Sequence, residues 1–430
     1  MLQFFSNKDI KISSIGSISI KFAAAFFGFL NGVLLARFLS LEGLGVYVLV
    51  FSTVTLLSVP TTLGLPNLLI RYISKYEVLN QFALVKGLLI KSNLIATYIT
   101  LLVYLLAFVS YFFWWGSYDK MLVETIFYGL LLLPLLSYGS LRSAALKGLR
   151  YVILADLPES LLRSLIFSIL LLTAQLSGYN LSPKLAMIYQ LIAAFIAFVI
   201  GYLFLNEKLL KNLKGIRPLY DSKVWIKESI PFSINAAIQI IRTRLLIYLL
   251  AIFGSIEAVA LFEVATKGAN LVSFILNALN SAISPYISKS FEEGNLVYLQ
   301  KILKVSARII FVFSLPIALI FIIGGRSLLM YIFGNEYAGS YIPLVILCLG
   351  QLVSALTGSV GLLLNMTGHQ KYFSRSNLWM LLLNVIFSIP FIVVYDVSGA
   401  AFVFSALLVL QNIILYLFVK RRLNLNTTVF

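Results

Sequence analysis

Apolar residues come along this chain in continuous runs of about 20 or more, separated by short polar segments. A run of that length crosses the roughly 30 Å hydrocarbon core of a bilayer as a helix, whereas the strands of a membrane β-barrel would alternate over about 10 residues. The pattern therefore predicts transmembrane helices. Twelve runs qualify, at residues 12–36, 45–70, 87–113, 121–146, 151–176, 185–205, 224–253, 258–283, 305–323, 341–366, 376–395 and 399–419.

The composition agrees with this pattern and excludes a water-soluble globule. Of the 430 residues, 60% are hydrophobic and 11% are charged, against about 25% charged residues in soluble domains. No segment between the runs is long enough for a soluble domain. We expect an all-α polytopic membrane protein with an N-terminal six-helix lobe (1–205), a basic cytoplasmic linker (206–223) and a C-terminal six-helix lobe (224–430).

The distribution of cations predicts the orientation of these helices. Both termini and every second loop together hold 23 Lys and Arg residues, among them Arg142, Lys147 and Arg150. The opposite set of loops holds only four, which are Arg37, Lys120, Lys184 and Arg326. Cytoplasmic loops of membrane proteins carry the excess of Lys and Arg. The bias predicts a multi-pass protein of the cytoplasmic (inner) membrane with both termini in the cytoplasm.

The second half of the chain repeats features of the first. Leu34–Glu42 (LLARFLSLE) matches Leu249–Glu257 (LLAIFGSIE) at six of nine positions with an offset of 215, and Tyr72–Lys75 (YISK) recurs at Tyr286–Lys289 with an offset of 214. Two halves with the same even number of spans have the same orientation. The repeat therefore predicts two lobes related by a pseudo-two-fold axis along the membrane normal, with a cavity between them.

Three of the predicted helices carry polar residues at helical spacing inside their apolar runs. These are Asp156, Glu159 and Arg163 on the fifth span, Asn235, Gln239 and Arg242 on the seventh, and Glu263, Lys267 and Asn270 on the eighth. Glu159–Arg163 and Glu263–Lys267 have the spacing of ion pairs within one helix, and one interpretation is that they only hold the bundle together. Arg242 and Arg244 have no acidic neighbour on their own helix. A water-filled, cationic central cavity accounts for all three stripes.

Such a cavity suits an anionic, membrane-embedded substrate, because the planar guanidinium group binds phosphate through two hydrogen bonds. We expect the substrate-binding residues to be Arg242, Lys267, Arg163, Asn235, Gln239 and Asn270. Asp156, Glu159 and Glu263 are the candidates for taking up a proton or a sodium ion if transport is coupled to an ion gradient.

Other classes of chemistry have little support in the sequence. Cys348 is the only cysteine and His369 the only histidine, so we expect no disulfide framework, no metal site, no cofactor and no catalytic residue. The net charge of +17 is spread between the apolar runs. It therefore lacks the clustered basic patch of a nucleic-acid partner surface.

Several segments resemble a known family. They are LLARFLSLEGLGVYVLVFSTVTLLSVPTTLGLPNLLIRYISKY (34–76), with its A-R-x-L turn at Ala36-Arg37, G-x-Y at Gly45–Tyr47 and LGL at Leu63–Leu65, and in the second half IPFSINAAI (230–238) and SPYISK (284–289). The chain resembles the Wzx-like oligosaccharide-lipid flippases, which belong to the multidrug/oligosaccharidyl-lipid/polysaccharide exporter superfamily. The resemblance covers nearly the whole chain.

The resemblance implies a MATE-like fold and an activity. The expected substrate is a polyprenyl-diphosphate-linked oligosaccharide, moved from the cytoplasmic to the outer leaflet by alternating access of the two lobes, for the synthesis of surface polysaccharide such as O-antigen of lipopolysaccharide or capsule. The expected partners are this lipid-linked substrate, membrane lipids and the polysaccharide assembly machinery.

Two alternatives stay open. One is a multidrug or cation exporter of the same fold, which should favour acidic residues in its cavity. The other is a membrane glycosyltransferase or polymerase, which should carry a catalytic acidic motif in a long loop.

Overall fold

The computed structural model describes residues 8–114, 119–178 and 180–429, and within these ranges it contains helices and no β-strand. The chain divides into two compact units, Met1–Arg244 and Leu245–Phe430. This division falls inside one long helix rather than in the basic segment 206–223. The lobe limits expected from the sequence stay a prediction.

Among its described residues the first unit contains nine α-helices, the last of which continues into the second unit. They are α1 (Lys8–Phe38), α2 (Leu41–Thr62), α3 (Leu65–Val78), α4 (Phe82–Trp114), α5 (Lys120–Gly148), α6 (Val152–Asp156), α7 (Arg163–Leu176), α8 (Pro183–Lys208) and α9 (Ser222–Phe253). A π-helix, Leu157–Leu162, joins α6 to α7, and a short 3-10 helix, Leu210–Leu213, follows α8.

The second unit contains the remaining helices. They are α10 (Ile256–Glu292), α11 (Leu296–Ile332), α12 (Tyr341–Thr357), α13 (Val360–Met366) and α14 (Gln370–Leu423), with a 3-10 helix, Asn335–Ser340, before α12. Helix α14 has 54 residues and is kinked at Asp396, where φ is 49° and ψ is −128°. Because these angles are not helical, α14 consists of two helices in series.

Eleven helices among the described residues are long and apolar enough to cross a membrane. Each of the twelve predicted spans overlaps one of them, since α14 contains the last two on either side of Asp396. The prediction of an all-α polytopic membrane protein is therefore confirmed. The hydrophobic pattern found these helices because each must satisfy its own backbone hydrogen bonds and offer an apolar surface to lipid.

Two predicted spans continue past points where the structure breaks the helix. The run 45–70 is interrupted at Leu63 and Gly64, whose φ angles are 44° and 67°. A Cβ on Gly64 would overlap the backbone of Ser233 on α9, so this turn needs both a left-handed conformation and no side chain. The run 341–366 is interrupted at Gly358, with φ of 69° and ψ of −153°. Hydrophobicity does not reveal such breaks because the residues on both sides are equally apolar.

The core of the first unit packs α3 against α4 and α5. Leu69, Ile73, Leu88 and Ala145 are fully buried there, and Trp225 at the start of α9 belongs to the same cluster. Also in this unit, the hydroxyl groups of Thr61 on α2 and Ser137 on α5 form a 2.6 Å hydrogen bond. The cluster thus attaches the first part of α9 to the N-terminal helices.

The core of the second unit lies where α10 and α11 meet α13 and the end of α14. Ile287, Leu299, Leu363 and Val419 are buried at this junction. Leu425, beyond the end of α14, is also buried, and the side-chain amide of Gln300 bonds the backbone of Asn426 at 2.6 and 2.8 Å. The segment after α14 is therefore packed onto α11.

Candidate functional site

A buried arginine at the end of α5 is the centre of the charged site in the first unit. Nη2 of Arg142 donates a 2.6 Å hydrogen bond to Oε1 of Glu159, and 3% of the Arg142 side chain is exposed. Its Nη1 donates to the backbone carbonyls of Phe198 and Ala197 on α8, at 2.9 and 3.3 Å. These bonds hold the guanidinium group in one position between α5, α8 and the π-helix.

Two glycines make the space for this pair. A Cβ on Gly201 of α8 would overlap the guanidinium of Arg142, and a Cβ on Gly139 of α5 would overlap the carboxylate of Glu159. Small residues at helix interfaces let transmembrane helices approach closely and admit polar side chains between them. The buried ion pair is therefore built into the packing of α5 and α8.

The structure brings a second predicted residue, Arg163, to the same carboxylate. Nη1 of Arg163 lies 4.0 Å from Oε2 of Glu159, and 24% of the Arg163 side chain is exposed. Glu159 thus faces two guanidinium groups, of which Arg142 makes the close contact. The three charges leave a net charge of +1, and Arg163 is the more accessible of its two cations.

Arg142 is the residue that sequence reasoning missed. The charge distribution predicts Arg142 in a cytoplasmic loop, and this prediction is wrong, because Arg142 lies within α5 and its side chain is buried. The signal was present, since position 142 falls inside the predicted span 121–146. A cation within a span is costly unless it has a partner, and that partner, Glu159, lies on a different helix.

Asp156 has its own partner on α5. Its Oδ1 lies 2.7 Å from Nζ of Lys147, and 10% of the Asp156 side chain is exposed. Between Asp156 and Arg163 the chain forms the π-helix Leu157–Leu162, which contains Pro158. Proline has no N–H to donate, and π-helical turns inside α-helices occur frequently at functional sites. Two acidic residues of the predicted stripe are therefore bound to cations of α5.

On α10, in the second unit, Glu263 and Lys267 form the other predicted pair. Oε1 of Glu263 lies 3.4 Å from Nζ of Lys267, and the two side chains are 18% and 28% exposed. Asn270, one turn further along, is exposed in its unit. Direct contacts therefore support the interpretation that Glu159–Arg163 and Glu263–Lys267 are ion pairs between residues four apart.

The predicted polar residues of α9 belong to the first unit. Gln239 is exposed there, whereas Arg242 is half-buried and has interactions with neighbouring groups. The side chain of Asn235 lies outside the described residues. The structure therefore groups Glu159 and Arg163 with Arg142, and Glu263 with Lys267. The binding and ion-coupling roles of all nine sequence-derived residues stay predictions.

A further cluster, which the sequence did not suggest, joins α3 to α9. Nε1 of Trp225 donates to the hydroxyl of Tyr76 at 3.1 Å, and Arg71 lies 3.2 Å from Glu228. Burial, followed by the hydrogen bond with Glu228, raises the pKa of Tyr72 to about 12. Burial likewise raises the pKa of Tyr76. The cluster fixes the start of α9 through hydrogen bonds to neutral tyrosines and one exposed ion pair.

One protein family matches most of this chain by sequence. The family model described as "Polysaccharide biosynthesis protein" matches residues 13–291. No curated protein matches the chain by sequence.

Solved structures show the fold. An inward-facing multidrug resistance MATE family transporter of the MOP superfamily has a TM-score of 0.77 at 14% identity, covering 95% of this chain and 98% of its own. The lipid II flippase MurJ, in an inward closed conformation, has a TM-score of 0.72 at 13% identity, with 95% and 87% covered. A MOP superfamily transporter from Pyrococcus furiosus, whose binding pocket is described as having reverse polarity, has a TM-score of 0.66 at 16% identity, with 97% and 96% covered. The MATE-like fold expected from the resemblance is confirmed.

Proposed function

The chain belongs to the polysaccharide biosynthesis protein family, and from this premise we propose that it is a flippase for a polyprenyl-diphosphate-linked oligosaccharide. It moves this lipid from the cytoplasmic to the outer leaflet of the cell membrane for the synthesis of surface polysaccharide of the O-antigen or capsule type. The family match carries the proposal. The similarity in fold to a lipid II flippase supports it, since that protein is by name a flippase for a lipid.

The charges of the first unit agree with an anionic substrate. Glu159 faces both Arg142 and Arg163, so the carboxylate is already satisfied by its buried partner. Arg163, with 24% of its side chain exposed, is then available to a diphosphate group. Arginine suits this role because its planar donors match phosphate oxygens in pairs. Arg242, Gln239 and Asn235 on α9, and Lys267 and Asn270 on α10, complete the proposed binding set.

An exporter of cationic drugs is the second candidate, because a multidrug resistance transporter has the same fold. Its cavity should offer carboxylates to the substrate. In this chain Glu159, Glu263 and Asp156 each contact a Lys or Arg side chain among the described residues. These contacts favour the lipid-linked sugar over a cation.

Reconstitution tests the proposal directly. The purified protein is placed in liposomes that contain a fluorescent polyprenyl-diphosphate oligosaccharide, and the fraction of label that reaches the outer leaflet is followed by quenching from outside. We expect faster flipping than in empty liposomes, and no efflux of a cationic dye. Dye efflux without lipid flipping would establish the exporter instead. Imposed proton and sodium gradients in the same vesicles identify any coupling ion.

A further inference from the structure

A cavity inside the second unit has no role in the site described above. Its volume is about 310 Å³, and it lies between α10, the break from α12 to α13, and both ends of α14. Ligand pockets begin at about 300 Å³, so it has room for one small group. The polar residues that line it are Asn280, Ser354, Ser359, Asn365 and Asn412.

Two polar atoms of these side chains are buried without a partner among the described residues. Oδ1 of Asn280 and Oγ of Ser359 are shielded from solvent and have no hydrogen bond among the described residues, and Ser359 is 4% exposed. Ser359 directly precedes α13, yet its hydroxyl does not cap that helix. A buried polar atom without a partner costs about 1–3 kcal/mol. Such atoms are normally satisfied by a ligand or an ordered water.

The remaining lining specifies the kind of ligand. Asn412 donates its amide N–H to the carbonyl of Leu408 at 2.9 Å, which leaves its Oδ1 as an acceptor. Phe373 adds an aromatic ring, and it packs so closely on Gly361 that a Cβ there would lie 2.8 Å from the ring. None of the described lining residues is charged. Amide and hydroxyl groups around a ring suit a neutral, hydroxyl-rich ligand better than an anion or a metal ion.

We propose that this cavity binds a sugar unit of the lipid-linked substrate, with Asn280 and Ser359 bonding its hydroxyl groups. The proposal rests on the flippase function and deepens it. The cavity would bind the neutral, hydroxyl-rich part of that substrate. The predicted orientation places the cavity toward the cytoplasmic ends of α10 and α14, the side on which the substrate is first bound.

Site-directed labelling measures occupancy of the cavity separately from transport. Cys348 is buried and is the only cysteine, so a Cys348→Ala background is free of other thiols. Leu362→Cys places a thiol on the cavity lining, and Leu296→Cys, in an exposed position at the start of α11, serves as the matched control. We expect the sugar-bearing lipid to slow maleimide labelling of Leu362→Cys. Polyprenyl diphosphate without sugar should not slow it, and Leu296→Cys should react equally throughout.

Substitution of Asn280 and Ser359 tests whether these two side chains contribute to sugar binding. Asn280→Leu and Ser359→Ala, each in the Leu362→Cys background, should weaken protection by the sugar-bearing lipid about fivefold, the ratio for one hydrogen bond of about 1 kcal/mol. Asn384→Leu and Ser281→Ala are the controls, because the hydrogen bonds that their side chains form among the described residues lie within their own helices. Unchanged elution in size-exclusion chromatography shows that the variants remain folded.

The outcomes separate the two proposals. If the protein flips the sugar-bearing lipid but that lipid gives no protection, or sodium chloride alone protects, the cavity holds water or an ion and the sugar site is wrong. Protection by free oligosaccharide in a protein that flips no lipid-linked sugar would overturn the flippase function and keep the sugar site. A protein that neither flips the lipid-linked sugar nor is protected by any sugar would overturn both the flippase function and the sugar site.

Discussion

Nη2 of Arg142 on α5 lies 2.6 Å from Oε1 of Glu159 on the π-helix, and 3% of the Arg142 side chain is exposed. Removing one partner of a buried ion pair leaves an uncompensated charge, which costs about 3–5 kcal/mol. We therefore expect Glu159→Gln to lower the yield and the thermal stability of the folded protein. Arg142→Met, which removes the buried charge itself, should restore much of this loss when combined with Glu159→Gln. Thermal unfolding in detergent, monitored by size-exclusion chromatography, measures the stability of Glu159→Gln, of Arg142→Met and of the variant with both substitutions.

The double variant decides between two roles of Glu159. If Glu159 is structural, the variant with both substitutions is folded and keeps the gradient dependence of transport. If Glu159 carries the coupled proton, gradient dependence is lost although the protein is folded. A Glu159→Gln protein as stable as the wild type would contradict the structural role.

The space around the ion pair gives a second prediction. Gly201→Ala places a methyl group against the guanidinium of Arg142, which three other bonds hold in place. We expect a loss of about 1–3 kcal/mol, the usual range for overpacking. Gly324→Ala on α11 is the matched control, because nothing lies within 4 Å of its added Cβ. The control should be neutral or slightly stabilising, since Ala favours helix over Gly. Equal melting temperatures for the two variants would refute the close packing.

Much of the fold followed from the sequence, and the site followed only in part. The hydrophobic runs located the helices, because lipid imposes the same requirement on every spanning segment. The i, i+4 pairs Glu159–Arg163 and Glu263–Lys267 were found because they lie within one helix. Arg142 was misassigned because its partner lies on another helix, which sequence spacing does not report.

The two helix breaks and the polar cavity were missed for the same reason. The break at Gly64 depends on the backbone of α9, and the cavity depends on the break at Gly358 and on residues from α10, α12, α13 and α14. Such features arise from tertiary contacts between segments far apart in the chain. Hydrophobicity and helical spacing describe only one segment at a time.

Alkaline pH should loosen the contact between α3 and α9. The folded state holds Tyr72 neutral, with its pKa raised from 10.0 to about 12. This contribution to stability is complete below pH 10 and is lost as the pH rises through about 12. We expect the free energy of unfolding to fall over this interval, and to fall less steeply in Tyr72→Phe. Denaturant unfolding at a series of alkaline pH values measures the slopes, and identical slopes would show that Tyr72 does not contribute.

Reporter fusions test the predicted orientation. The excess of Lys and Arg predicts cytoplasmic signals after Arg150, Lys214 and Lys371. Fusions after Lys120, Lys184 and Glu336 should report the outside. Glu336 lies in the 3-10 helix before α12 and Lys184 in the first turn of α8, so each fusion point is at a helix end. Reversal at two adjacent points would contradict the twelve-span topology.

The last prediction separates arginines that hold the fold from arginines that bind substrate. Arg163→Ala leaves Glu159 paired with Arg142, so no buried charge loses its only partner and the protein should fold normally. If Arg163 and Arg242 contact the diphosphate, replacing either with Ala removes a charged hydrogen bond of about 1.5–3 kcal/mol. This loss corresponds to roughly a 10- to 100-fold weaker substrate affinity. Arg242→Lys keeps the charge but not the paired donors, and should retain part of the activity.

Arg244→Ala is the control on α9. Residues two positions apart on a helix differ by about 200° in direction, so Arg244 and Arg242 point to different sides, and Arg244→Ala should mainly reduce the amount of folded protein. The measurement is the flipping rate of the polyprenyl-diphosphate oligosaccharide against its concentration, normalised to folded protein. A raised KM in Arg163→Ala and Arg242→Ala, with normal folding, supports the diphosphate site. Full activity in both variants would show that the substrate phosphate is bound elsewhere.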